Sequence, residues 1–303
     1  MRILSVVALL LLGVPGVAAA SPPDPDVIVH DLDTAGVADY WTPERIAAMP
    51  TGPSAPPGTP PVDDPTGAPA ENKAIGRLFF VDRDGEDSSC TATLVVSANK
   101  RTAVTGGHCV HTANLAGFDP KWHSKMLFVP GFRDGARPFG QFVVRRAIVN
   151  KTWIADDQQS EFDQAFIVLD RPAGTAEQIA FDRPGDRFAR EYGYPRAANK
   201  PGHQGRPEFT GQRLAQCWGK AVRNPGHPEF PEENMWGVPC DMGGGSSGGP
   251  RISGNAVVGV NIQSFNQNSD GQWCPIGECV RHLGGAQFTA KVTRPLYQRA
   301  QFS

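Results

Sequence analysis

The sequence predicts an all-β fold, and three observations carry the prediction. Short runs rich in β-branched and aromatic residues recur: Gly76–Val81, Thr91–Val96, Phe142–Val149, Ala165–Leu169 and Ala256–Ile262. Turn residues separate them at short intervals. No long stretch keeps a 3.6-residue apolar period, the tail Pro295–Gln301 excepted.

The chain opens as an export signal. Arg2 supplies a positive end, Ile3 through Leu12 an apolar core, and Pro15 and Gly16 a break. Ala18-Ala19-Ala20 fits a small-residue cleavage site, so residues 1–20 are expected to be removed. The apolar core is too short to span a bilayer, and no later stretch is long or apolar enough. A secreted, extracellular protein without a membrane partner is expected.

Residues 21–73 are expected to lie outside any core. Proline and glycine dominate Pro50–Pro69, which reads as an extended linker. Ahead of it, Thr42–Met49 reads as a short helix with Thr42 as its cap and Pro43 in its first position. Tyr40 and Trp41 add apolar surface. A short helix on a Pro-rich tether suggests a propeptide, with a disordered tail as the alternative. From Ala74 the texture changes, so 74–303 is read as the working domain.

Six cysteines in an exported chain imply three disulfides. A metal site built from Cys274, Cys279 and His282 is the alternative for two of them, but an oxidising compartment favours disulfides, so no metal or cofactor is expected. The net charge of −2 and the absence of a basic stripe exclude nucleic acid as the expected partner. A monomer is the default.

The chemistry concentrates in three segments. Gly244-Gly245-Ser246-Ser247-Gly248-Gly249-Pro250 sets a serine among glycines. The backbone can turn sharply there, a substrate carbonyl can approach, and successive N–H groups can converge on an oxyanion. Upstream lie Thr105-Gly106-Gly107-His108-Cys109 and Glu161-Phe162-Asp163-Gln164-Ala165. Together they order His, Asp and Ser along the chain.

These segments resemble the motifs of the trypsin/chymotrypsin superfamily of serine endopeptidases, and most of all its secreted bacterial branch that includes glutamyl endopeptidases. Thr105–Cys109 resembles T-A-x-H-C, Asp163–Ala165 resembles D-x-A, and Gly245–Pro250 resembles G-D-S-G-G-P with Ser246 in place of Asp. The resemblance covers roughly residues 74 to 300. It implies two six-stranded antiparallel β-barrels with the active site between them. It also implies an endopeptidase made as a precursor and acting on polypeptides. By the same resemblance Cys109 pairs with Cys90. Cys217–Cys240 and Cys274–Cys279 are then the simplest remainder, with Cys240–Cys274 as a rival that would brace a substrate pocket.

In that reading Ser247 is the nucleophile, His108 its base, and Asp163 the group that orients and stabilises the imidazole. Asp156 and Asp157 rival Asp163 but lie in a polar run, whereas Asp163 directly precedes an apolar strand. Backbone N–H groups of Gly245 and Ser247 would form the oxyanion hole. Ser246 cannot make the ion pair with a new N-terminus that the Asp of animal trypsins makes at that position, so the resemblance does not carry that mode of activation over. Asp241, six residues before Ser247, would sit at the pocket floor and favour basic side chains, with Ser264 on the pocket wall. Val258–Ser264 contains neither the His nor the Thr that glutamyl-specific relatives often carry. His111, His123, His203, His227 and His282 have no motif around them and read as surface or structural.

Two other readings share parts of this pattern. One is a catalytically silent homologue that binds partners through the same fold. The other is an esterase or lipase, because Gly245–Gly249 fits G-x-S-x-G and Asp270 and His282 follow it. The missing alternation of strands and helices argues against the latter.

Overall fold

The computed structural model describes residues 24–49, 67, 69, 71–113, 118–157, 160–196, 209–226, 234–274 and 279–303. The export signal, nearly all of the Pro-rich linker, His203 and His227 lie outside the described residues.

The N-terminal part contributes β1 (Val27–Asp31), α1 (Val37–Tyr40) and α2 (Pro43–Ala48). In α2 the Thr42 hydroxyl accepts from the Arg45 N–H and Pro43 occupies the first turn, as the local sequence predicts. The first half follows with β2 (Ile75–Val81), β3 (Asp87–Leu94), β4 (Thr102–Thr105), β5 (His111–Thr112) and β6 (Lys121–Trp122). It continues with β7 (Ser124–Pro130), β8 (Phe142–Asn150), α3 (Lys151–Ala155) and β9 (Ala165–Leu169).

The second half contains β10 (Gln178–Ile179), β11 (Phe188–Gly193), β12 (Ala215–Lys220), β13 (Val222–Arg223) and β14 (Met235–Pro239). Then come β15 (Pro250–Ser253), β16 (Ala256–Val260), β17 (Gln263–Gln267), β18 (Val280–Ala286) and α4 (Thr293–Gln301). The expected strand at Ala165–Leu169 matches β9 residue for residue. The expected Thr91–Val96 strand begins four residues earlier, at Asp87, because β3 extends along β2 as far as Val81↔Asp87.

In the first half, β8-β7-β2-β3-β4-β9 pair in sequence and β9 returns to β8, closing a six-stranded antiparallel barrel. Its inner side chains include Leu78, Leu94, Phe128, Val149, Ile167 and Leu169. The second half closes differently. It holds a five-stranded sheet, β10-β16-β15-β11-β12, and a four-stranded one, β13-β14-β18-β17. A Gly259↔Gln287 bridge joins β16 to the end of β18. The Cys217–Cys240 disulfide joins β12 to the residue after β14. β11, β12, β14 and β18 share a core of Ala189, Ala215, Val238, Met242 and Leu283, while Val257 and Val260 of β16 pack with Phe166, Val168 and Leu296.

The expectation that residues 21–73 lie outside the core needs correction. β1 pairs antiparallel with Arg146–Asn150 of β8, along the edge that β7 leaves open beyond Val143. Val37, Trp41, Ile46 and Met49 are buried with Ile75, Phe79, Leu127 and Phe132. Trp41 is fully buried, and Arg137 donates to its carbonyl at 2.6 Å. Asp87 accepts from Tyr40 at 2.8 Å and pairs with Arg45 at 2.6 Å. Aromatic area outweighs linker composition here: one Trp and three aliphatic side chains find an apolar face of the barrel to cover.

Candidate active site

Strand register brings His108 and Asp163 together. β4 and β9 are antiparallel, with Thr105 opposite Ala165. The chain leaving Thr105 forward and the chain leaving Ala165 backward therefore emerge at the same end of the barrel. His108 lies three residues beyond Thr105 on a 3-10 turn, Gly107–Cys109, and Asp163 two residues before Ala165. Gly107 permits the approach: a Cβ there would lie 3.0 Å from Asp163 Oδ1 and from the Trp153 ring.

The two side chains interlock. The His108 backbone N–H donates to Asp163 Oδ1 at 2.8 Å, and His108 Nδ1 lies 2.7 Å from Oδ2. Asp163 is buried, while the imidazole keeps 27% of its side-chain surface exposed. Burial works against charge on His108, but Asp163, by its charge and its hydrogen bond, outweighs burial and raises the pKa above the ordinary value. With Nδ1 turned to the carboxylate, Nε2 is the nitrogen left to face solvent or substrate. Gln164, next in sequence, accepts from the Thr293 hydroxyl at 2.7 Å, which ties α4 to this corner.

His108, Ser247, Gly244 and Gly245 line one cleft of about 730 Å³. Its other walls include Phe80, Ser88, Ser89, Cys90 and His123, and its charged lining is Asp82, Arg83, Asp84 and Arg196. Gly245 has φ +94°, and a Cβ there would run into the Tyr194 carbonyl. Ser246 is buried and turned away from the cleft; its hydroxyl donates to the Gly243 carbonyl. Of the two adjacent serines, only Ser247 is presented to the cavity that holds His108.

The remaining site expectations fall as follows. Cys90–Cys109, Cys217–Cys240 and Cys274–Cys279 are the three disulfides, so the Cys240–Cys274 alternative is not the one formed. Cys274 and Cys279 thus have no thiolate to offer a metal. Cys90 and Cys109 sit near His108, but their sulfurs are likewise bonded to each other. Asp241 and Ser264 do not line the cleft of Ser247. Arg281 donates to the Ser264 hydroxyl at 3.0 Å and lies within electrostatic reach of Asp241. The carboxylate expected to attract a basic substrate side chain thus has a cation of the chain itself close by. Sequence reasoning missed Arg281, because nothing in the spacing pairs residue 281 with 241 and 264.

His111, His123 and His282 are buried rather than on the surface. His123 stacks on Phe80 and His282 on Phe265, and burial lowers each pKa to about 4. His282 does not line the cleft of Ser247, and Asp270 is exposed on a turn. The Ser247–Asp270–His282 set required by an esterase reading is therefore not assembled.

No protein-family model and no curated protein matches the chain. Solved structures do. The protease Anisep from Arthrobacter nicotinovorans is 26% identical with a TM-score of 0.62, over 78% of this chain and 100% of that one. The thermostable serine protease AL20 from an extremophilic microorganism is 29% identical with a TM-score of 0.58, over 77% and 98%. A Glu endopeptidase in complex with MPD shares the fold at 21% identity and a TM-score of 0.57, over 80% and 99%. The chain has the trypsin/chymotrypsin-like fold of bacterial serine proteases, related to that of Glu endopeptidase.

Proposed function

We propose that the chain is an exported serine endopeptidase that cleaves polypeptides through an acyl-enzyme. The observation that carries the reading is the 2.7 Å pairing of His108 Nδ1 with a buried Asp163 at the edge of the cleft lined by Ser247. Ser247 Oγ attacks the scissile carbonyl while His108 Nε2 takes its proton. The C–N bond then breaks, and the same proton passes from His108 to the leaving amine. Water repeats the sequence in reverse on the ester, with His108 again as base. Asp163 keeps Nδ1 protonated and stabilises the imidazolium without accepting its proton. Gly245 and Ser247 N–H groups receive the oxyanion.

Export is supported by the leader-like first 20 residues and the three disulfides. No described helix is long and apolar enough to cross a membrane. A precursor is supported by the Pro-rich linker, with cleavage between Pro60 and Ile75 ahead of β2. Residues 24–49 pack on the barrel and none of them lines the cleft, so they do not plug the site. Their release is not what exposes Ser247. The proposed working form is a monomer without metal or cofactor.

An organophosphonate probe tests the reading. Covalent labelling of Ser247 in wild type, lost in Ser247→Ala and in His108→Ala, is expected. A purified protein that neither takes the label nor cleaves a peptide library is instead the silent binding homologue.

A further inference from the structure

Resting on the endopeptidase reading, the geometry points to Thr91 as a positioning residue. We propose that its hydroxyl locks the oxyanion-binding backbone in working geometry, so that no freed N-terminus is needed to build the hole.

A trans peptide is planar, so its N–H points opposite to its C=O, and holding the carbonyl aims the N–H. The Gly245 N–H shares a plane with the Gly244 carbonyl, which accepts from the Arg196 N–H at 2.7 Å. The Ser247 N–H shares a plane with the Ser246 carbonyl, which accepts from the Gly249 N–H at 3.0 Å. The plane between them carries the Gly245 carbonyl, and Thr91 Oγ1 donates to it at 2.9 Å. All three planes are held.

Thr91 reaches further. Its Oγ1 accepts from the Tyr194 N–H at 2.9 Å, two residues before the Arg196 N–H that holds the Gly244 carbonyl. Its own N–H donates to the Ser247 carbonyl at 2.7 Å. Its carbonyl accepts from the Thr105 hydroxyl at 2.8 Å, three residues before His108. A hydroxyl has one proton to donate, and here it goes to Gly245. Thr91 is fully buried, so water does not compete for these bonds. The residue thus ties the segment leading to His108, the end of β11 and the nucleophile loop at one point.

The same loop lacks the carboxylate that an N-terminal ammonium would need. Ser246 stands there, buried, with its hydroxyl spent on the Gly243 carbonyl. Neutral hydrogen bonds from Thr91 and Ser246 do the work of that ion pair.

Thr91→Val removes the hydroxyl and keeps the shape. Losing a direct oxyanion donor costs about 10²–10³ in kcat, and Thr91 acts one step behind the donors, so a loss of about 10–100-fold is expected. KM and the acid limb of the pH profile should stay put, because His108 and Asp163 are untouched. Affinity for a peptide boronate should fall with kcat. Thr91→Ser, which restores the hydroxyl, should recover most of both. A Thr91→Val enzyme with wild-type kcat and boronate affinity overturns the proposal, as does equal loss in Thr91→Val and Thr91→Ser, which marks packing instead. If Thr91→Val does not fold, the mature wild-type form carrying a short uncleavable extension on its N-terminus decides. Full activity is expected, and an inactive extended chain means that a free terminus is required after all. Wild type without turnover defeats the endopeptidase reading itself, which these outcomes keep separate.

Discussion

The two halves hold the residues of the candidate site by different physics. In the first half, a closed barrel with a continuous apolar interior presents His108 and Asp163 from the ends of two paired strands. Their meeting follows from register. In the second half, Ser247 lies on a glycine loop outside the strands, and hydrogen bonds to its backbone carbonyls, among them those from Thr91 of β3, keep its shape. The second core also buries Glu191 and Arg251, which face each other on β11 and β15 at 3.9 Å. One half is rigid because apolar area is buried on a closed frame, the other because polar groups are satisfied individually. Damage to buried side chains away from the cleft should appear in stability, and damage to the groups around the cleft in turnover.

The sharpest test is Ser247→Ala. Loss of the nucleophile should lower kcat by about 10⁶ while Tm moves by no more than about 2 °C, because the side chain faces a cleft. Ser246→Ala beside it should cost far less. A reversed pair of results would place the nucleophile one residue earlier and the oxyanion donors with it.

Next comes Asp163→Asn, with an expected drop of about 10⁴ in kcat. On the endopeptidase proposal activity needs neutral His108, so it should rise with pH through a value raised above that of an ordinary histidine. Asp163 is what lifts that value, so the acid limb should move to lower pH in the variant. An unmoved limb would mean that another group sets it.

Trp41→Ala tests the first half from outside. Truncating a fully buried Trp costs about 3–5 kcal/mol. Denaturant unfolding of the uncleaved chain should show that loss, while kcat of the enzyme made from it stays within about twofold, since the cleft is lined elsewhere. A variant as stable as wild type would return residues 24–49 to the status of a removable tail.

Each half carries a buried imidazole whose pKa burial lowers to about 4, which makes pH a comparison of its own. His123 and His282 have folded pKa values of about 4, below the unfolded value near 6.5. Their contribution is therefore present above about pH 6.5 and lost as pH falls toward 4, by about 3 kcal/mol each. His123→Gln and His282→Gln should each flatten the acid side of the stability profile. A profile unchanged in either variant would show that its imidazole is already solvated.

The smallest effect is expected for Glu191→Gln. Burial drives the Glu191 pKa well above the ordinary range, against the pull of Arg251, which favours the neutral carboxyl over the carboxylate. Neither of its oxygens has a hydrogen-bond partner among the described residues. Replacing one neutral group by another of the same shape should change stability by less than about 1 kcal/mol. A loss of about 3–5 kcal/mol would reveal an ionised pair instead.

Much of this was legible in the chain, and the reasons differ by element. The cap on α2 and the β9 strand are local: Thr42, Pro43 and a run of five apolar residues need only their neighbours. The His108, Asp163 and Ser247 segments were readable because glycines, a paired cysteine and a strand start are short-range demands of the chemistry. Burial of residues 24–49 was not, because Pro50–Pro69 hides the Trp41 that lies before it. Arg281 beside Ser264 and Asp241 was not either, nor the two seams of the second barrel.

By itself, then, the sequence determined the all-β class and the export-type cysteine usage, and it singled out the candidate residues of the proposed site. Each of these is written in composition or in a few adjacent residues. Tertiary structure alone decided which faces Trp41 and Met49 cover, which cation answers Asp241, and which hydroxyl steadies Gly245 from 154 residues away. Those outcomes depend on strand register and on which buried polar groups end up within about 3 Å, and no local pattern encodes either.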